Sequence, residues 1–78
     1  MLIEIEEILN ILSKVTPGPW KSFVEGRDHI SGSNFIQTGE KNYDIEFINL
    51  SAIDQDFIAM ARNVLPSLID ELIKLKAK

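Results

Sequence analysis

The sequence predicts an α+β fold in one domain spanning residues 1–78, with the order helix, three strands, helix. Apolar residues recur at helical spacing before residue 16 and after residue 51, whereas the segment between them reads as short strands. The run Thr16–Trp20 (Thr-Pro-Gly-Pro-Trp) separates the first helix from the strands, because two prolines prevent a helix from continuing. No linker in the chain is long enough to divide it into two domains.

The first helix is predicted over residues 2–15. Acidic residues fall near its start and Lys14 near its end, as the helix dipole favours. Ile3 and Ile11 widen its apolar stripe, which either meets a partner or wraps around the chain's own sheet. The stripe itself consists of Leu2, Ile5, Ile8, Leu9, Leu12 and Val15.

Three strands are predicted over residues 20–24, 34–38 and 43–48. The third has the clearest pattern, with Tyr43, Ile45 and Phe47 on one face and Asp44 and Glu46 on the other. A polar turn over residues 39–42 joins the second strand to the third. Short connections between consecutive strands predict an antiparallel meander.

The second helix begins after Ser51, which is predicted to be its N-cap. Asp54, three residues later, is placed to make the reciprocal contact of a capping box. Apolar residues then continue at helical spacing to Leu75. Pro66 removes the backbone hydrogen bond to the carbonyl of Arg62, so the helix is predicted to kink or to split in two.

Composition argues against several classes of protein. The absence of cysteine removes disulfides and thiolate chemistry, and the net charge of −4 argues against a general nucleic-acid binder. No apolar run approaches the length of a membrane span, and the N-terminus lacks the pattern of a signal peptide. We therefore expect a cytoplasmic protein that binds neither membrane nor nucleic acid.

The sequence contains no recognisable catalytic or metal-binding constellation. His29 is the only histidine and falls in a predicted loop, where an exposed residue without a catalytic role is the common case. Asp54 and Asp56 diverge by about 200° on a helix and do not form an acid pair. We expect no enzyme, no metal and no cofactor.

Three candidate ligand contacts come from residue types suited to anions or bases. Arg62 lies within the second helix, where it either pairs with a carboxylate such as Asp44 or Glu46 or forms a fork for an anionic ligand. Trp20 and Tyr43, with Phe23, either pack in the core or form an aromatic surface for a nucleobase.

A candidate interface lies beyond Pro66. Four apolar residues at spacings of three and four are predicted to form a stripe there, which a twofold pairing of two chains would cover. These residues are Leu65, Leu68, Ile69 and Leu72.

Two motifs resemble a group of small proteins encoded by phages and prophages, which includes relatives of the Ead-type early proteins of temperate phages. The first motif is Thr16–Trp20. The second has the form Asp-x-x-Phe-Ile-Ala-x-Ala-Arg-x-x-x-Pro-x-Leu and is matched over residues 54–68. Many members of the group carry an acid two residues before the proline, where this chain has Val64. The resemblance implies a phage or prophage origin and a helix–sheet–helix fold, and no specific activity.

These observations lead to two hypotheses about function. The first is a non-catalytic accessory protein of phage or prophage type that acts as a homo-oligomer through contact with a host protein. The alternative is a protein that binds or sequesters a nucleotide signal, with Trp20, Tyr43 and Arg62 contacting the small anionic ligand.

Overall fold

A computed structural model describes residues 4–77 and has the predicted α+β architecture. One three-stranded antiparallel sheet lies between two helices in the chain order. The elements are α1 (Ile5–Lys14), β1 (Lys21–Phe23), β2 (Asn34–Gln37), β3 (Asp44–Phe47) and α2 (Ala52–Lys76). The predicted contributions of Leu2 and Ile3 to the first helix lie outside the described residues.

The sheet is a meander with the strand order β1-β2-β3. Phe23 pairs with Phe35 across β1 and β2, and Ile36 pairs with Ile45 across β2 and β3. The predicted alternation in the third strand is confirmed over residues 44–47, where Ile45 and Phe47 are half-buried while Asp44 and Glu46 are exposed. Tyr43, predicted on the same face as Ile45, is exposed and precedes the strand. Each strand is slightly shorter than predicted, so the area of sheet on which a helix can pack is small.

Helix α2 begins as the sequence predicts. The backbone N–H of Asp54 donates to Ser51 Oγ at 3.1 Å, which satisfies one of the amides that a helix N-terminus leaves without an intrahelical partner. The helix then continues for 25 residues and includes Pro66, so the proline does not split it. Only the first half of such a helix can cover strands of three or four residues.

The apolar core is very small for a chain of this length. Ile36, Ala59 and Ile69 are the only apolar residues among 4–77 that are buried, and α1 contributes no buried residue from its described range. The radius of gyration is 14.9 Å, whereas a compact chain of this length has about 11.5 Å. The single chain is therefore elongated and buries little apolar surface.

A polar side chain occupies the centre of the contact between α2 and the sheet. Gln55 is fully buried, and its Nε2 donates to Ser22 Oγ at 2.9 Å and to the carbonyls of Phe23 and Phe35 at 3.1 Å each. Its Oε1 has no hydrogen-bond partner among residues 4–77. Because one amide group binds both β1 and β2, Gln55 fixes the position of α2 on the sheet.

An ion pair joins the loop after β1 to the start of α2. Arg27 donates to both carboxylate oxygens of Asp56, at 2.8 and 3.0 Å, and also to Asp28. The hydrogen bond from Arg27, followed by one from Ser22, lowers the pKa of Asp56 from its ordinary value of 3.8 to about 2. The pair therefore favours the folded state when Asp56 is ionised.

We expect this pair to make stability depend on pH in acid. Because the folded-state pKa of Asp56 is depressed, its stabilising contribution is present above the ordinary value of 3.8 and is lost as the pH falls through about 2. Asp56→Asn should therefore flatten the fall in melting temperature across this window. Asp44→Asn removes an exposed carboxylate outside the pair and serves as the control. Identical pH profiles for the two variants would contradict the assignment.

Candidate functional site

The segment around Trp20 docks directly onto the middle of α2. The side chain of Asn63 accepts a hydrogen bond from the backbone N–H of Trp20 and donates one to its carbonyl, both at 2.7 Å. A single amide side chain on the helix thus pairs with both backbone groups of one residue. The two motifs that the sequence analysis identified separately meet here, and we call this contact the Trp20 junction.

Arg62 belongs to the Trp20 junction and pairs with no carboxylate among residues 4–77. Its Nε donates to the carbonyl of Thr16 at 3.2 Å, and the indole Nε1 of Trp20 donates to the same carbonyl at 3.1 Å. The guanidinium carbon lies 6.0 Å from the centre of the indole ring, within the range of a cation–π contact. The expected ion pair with Asp44 or Glu46 is wrong, because the proline-rich turn brings a backbone carbonyl to the guanidinium instead.

The hairpin between β2 and β3 is held against the same turn. The backbone N–H of Gly39 donates to the carbonyl of Pro17 at 2.7 Å. A Cβ added at Gly39 would lie 2.7 Å from that carbonyl oxygen and equally close to the carbonyl carbon of Gly18. Such distances leave no room for any side chain, so only glycine allows this approach of two backbones.

The three candidate ligand contacts are only partly brought together. Trp20 and Arg62 are adjacent and half-buried, whereas Tyr43 is exposed at the entry to β3. Phe23, the third aromatic residue of the predicted surface, stacks on Phe35 with ring centres 5.1 Å apart. Trp20 and Arg62 therefore form a structural contact, and the aromatic surface expected from Trp20, Tyr43 and Phe23 is not assembled within residues 4–77.

His29 is more buried than its loop position suggested. Its side chain is 16% exposed and packs against Phe23 and Phe35. Ser31 Oγ lies 2.6 Å from its Nδ1 and Glu25 Oε2 lies 3.5 Å from the same nitrogen, while Nε2 is buried without a partner among the described residues. A nucleophile–histidine–carboxylate relay needs the serine and the acid on different ring nitrogens, so this cluster lacks that arrangement.

A long apolar surface runs along the side of α2 that faces away from the sheet. We define this outer face by six exposed residues: Ile53, Phe57, Met60, Val64, Leu68 and Leu75. At about 100° per residue they fall within an arc of about 80°, and Gln55, Ala59 and Ile69 lie on the opposite side of the helix. An open groove of about 200 Å³ lies on this face, lined by Met60, Ala61, Val64, Leu65 and Leu68.

The four residues predicted as an interface do not share one exposed stripe. Leu65 and Leu68 are exposed beside the groove, Leu72 is half-buried, and Ile69 is buried by the chain itself. Neighbouring residues point about 100° apart on a helix, which separates Ile69 from Leu68. The exposed stripe instead extends towards the N-terminus of α2 through Phe57 and Ile53.

The described part of the chain contains neither a cluster of metal-binding side chains nor a membrane-spanning helix. No three His, Asp or Glu side chains in residues 4–77 are grouped so that they could hold a metal ion. No helix within that range is long and apolar enough to span a bilayer.

Comparison with protein-family models, with curated proteins and with solved structures finds no match to this chain. The candidate site is therefore defined by its geometry: a rigid junction on one side of α2 and an exposed apolar face on the other.

Proposed function

We propose that this chain is a non-catalytic accessory protein of phage or prophage type that acts as a homo-oligomer by contact with a host protein. The observation that carries the proposal is the outer face of α2. Its apolar side chains include Ile53 at 73% and Phe57 at 62% exposure. This apolar surface is unbroken from Ile53 to Leu68, and exposed apolar surface of this kind on a small protein commonly marks a protein contact.

The balance between core and surface supports association. Three apolar residues are buried among 4–77, fewer than the six that define the outer face alone. A chain of 78 residues is near the lower limit for independent folding, and oligomerisation is a common way to complete the core of such a chain. Covering the outer face would remove apolar surface from water without rearranging the sheet.

The resemblance to phage and prophage proteins fits this surface. Phe57 and Leu68 are part of the second motif, and both are exposed on the outer face. Other residues of the two motifs, such as Trp20 and Arg62, already have a role inside the Trp20 junction. The motifs thus combine residues that position α2 with residues that leave its apolar face available.

The alternative, binding of a nucleotide signal, has less support. Trp20 and Arg62 both use polar groups to bind the carbonyl of Thr16, and Tyr43 stands apart on the hairpin. The groove that the structure does contain is lined by aliphatic and thioether side chains, which offer nothing to a phosphate. A nucleotide-induced rise in melting temperature would favour this alternative.

We expect capture of the host protein to depend on the outer face, because the homo-oligomer that this face forms is the species that contacts the host protein. Tagged wild-type chain, Phe57→Glu and the control Ile30→Glu would be compared in a bacterial lysate, and the captured protein would then be purified and titrated directly. Ile30 is 89% exposed and lies outside α2, so its variant adds the same charge away from the face. Phe57→Glu should weaken binding at least tenfold, while Ile30→Glu should bind like wild type. Equal binding by all three proteins would contradict the proposed surface.

A further inference from the structure

We propose that the outer face of α2 is covered by α2 of a second copy of the chain, with the two helices antiparallel. This inference rests on the proposed homo-oligomer and specifies which surface pairs and in which direction. It follows from the shape of the face, from its symmetry about Val64 and from the distribution of charge along the helix.

The shape of the outer face suits a second helix. From Ile53 to Leu75 it extends about 33 Å at 1.5 Å per residue, and it is only one narrow stripe wide. The spacings of three and four residues between its members over residues 53–68 are those of a helix–helix seam. A groove between side chains at its centre offers space into which side chains of a facing helix can insert.

The stripe is arranged symmetrically about its middle. If Val64 lies on the twofold axis of an antiparallel pair, Met60 faces Leu68 of the second copy and Ile53 faces Leu75 of the second copy. Each contact then occurs twice, so one apolar patch covers itself. Glu71 of one copy lies opposite Phe57 of the other in this register. The apolar contact is therefore continuous around Val64, and the carboxylates of Glu71 lie towards its two ends.

Charge along α2 selects the antiparallel direction. Asp54 lies in the first turn of the helix, and Lys74 and Lys76 lie in the last. Antiparallel pairing places Asp54 beside Lys76 of the second copy and opposes the two helix dipoles. A parallel pair would place Asp54 beside Asp54 and Lys76 beside Lys76, and like charges at a contact are unfavourable.

The same features favour a second copy over an unrelated partner. The charge pattern is complementary to itself when reversed, so no second sequence is needed to satisfy it. The 14.9 Å radius of gyration and the sparse core describe a chain that two copies would complete.

The stoichiometry test measures mass by light scattering at micromolar concentration. Wild type and Ile30→Glu should have twice the chain mass of 8.8 kDa. Val64→Glu places two carboxylates together at the twofold axis and should have the mass of one chain. Circular dichroism checks that this variant keeps its helices. A wild-type mass of 8.8 kDa would overturn the inference.

Orientation is tested by cross-linking, for which the chain is suited because it contains no cysteine. Met60→Cys and Leu68→Cys would each be prepared alone and then mixed. In the antiparallel pair position 60 faces position 68, so the mixture should form a disulfide at least tenfold more efficiently than either variant alone. Efficient cross-linking of Met60→Cys with itself would overturn the antiparallel arrangement. This test does not require Val64→Glu to fold.

Failure of this inference can be separated from failure of the proposed function. A monomeric wild-type chain that still binds a host protein through Phe57 would reject self-pairing and leave the proposed contact with a host protein intact. An antiparallel dimer that binds no host protein would support self-pairing and reject the host contact.

Discussion

Replacing Gly39 with alanine is expected to lower the melting temperature by about 12–24 °C. An alanine Cβ would lie 2.7 Å from the carbonyl oxygen of Pro17 and from the carbonyl carbon of Gly18. Both are backbone atoms in a turn fixed to α2, so neither can move aside cheaply. Forcing extra volume into such a contact costs about 3 kcal/mol, and each kcal/mol corresponds to about 4–8 °C in a domain of this size.

Gly18→Ala provides the matched control. A Cβ at Gly18 would meet the side chains of Arg62 and Asn63 at 3.5–3.6 Å, which is ordinary van der Waals contact. We therefore expect a shift of only a few degrees. Thermal unfolding followed by circular dichroism measures both variants. Equal melting temperatures for Gly39→Ala and Gly18→Ala would show that the hairpin does not approach the proline turn as described.

The second large effect is expected for Gln55→Glu. This change replaces the donor Nε2 by an oxygen that faces the carbonyls of Phe23 and Phe35. A buried carboxylate without a cationic partner destabilises a protein by about 3–5 kcal/mol. At neutral pH the variant should therefore be largely unfolded or strongly destabilised, although only one atom of the side chain has changed in kind.

The pH dependence distinguishes burial of a charge from loss of hydrogen bonds. Burial raises the pKa of the introduced carboxyl in the folded state, so the penalty is absent below its unfolded pKa of about 4.3 and grows as the pH rises. Stability relative to wild type should therefore improve as the pH falls towards 4. Gln55→Leu should lose stability at every pH, and Gln37→Glu, on the exposed face of β2, should change little. A pH-independent cost for Gln55→Glu would contradict its burial.

The parts of the fold that depend on neighbouring residues could be predicted from the sequence. Strand alternation around Ile45 and the N-cap at Ser51 follow from local spacing and local hydrogen bonding, and both are confirmed. Helix α2 continues through Pro66 as one element, and nothing in the sequence pattern decided between a bend and a break.

The contacts that depend on distant residues could not be predicted in the same way. Gln55 is a polar residue between two aspartates on a helix, so the local sequence suggests that it faces solvent. Its burial is explained only by the approach of α2 to two strands. Arg62 binds a carbonyl 46 residues earlier in the chain, in a turn whose geometry no residue spacing reveals. The spacing of Ile69 groups it with the exposed residues of α2 as readily as with the buried ones. Only its burial in the structure assigns it to the covered side of the helix.

The hydrogen bonds of Asn63 also limit the ways in which this protein can assemble. Strand β1 is an edge of the sheet, and an exposed edge normally offers backbone groups to a strand from another chain. Here the N–H and carbonyl of Trp20, just before β1, are bound by Asn63, and the N–H of Val24, just after it, is bound by Asp28 at 2.8 Å. A strand from another chain could therefore pair only with the three residues of β1. To extend beyond them at either end, it would have to displace the side chain of Asn63 or that of Asp28. Addition of strands at this edge is therefore disfavoured by hydrogen bonds that also hold the folded chain together.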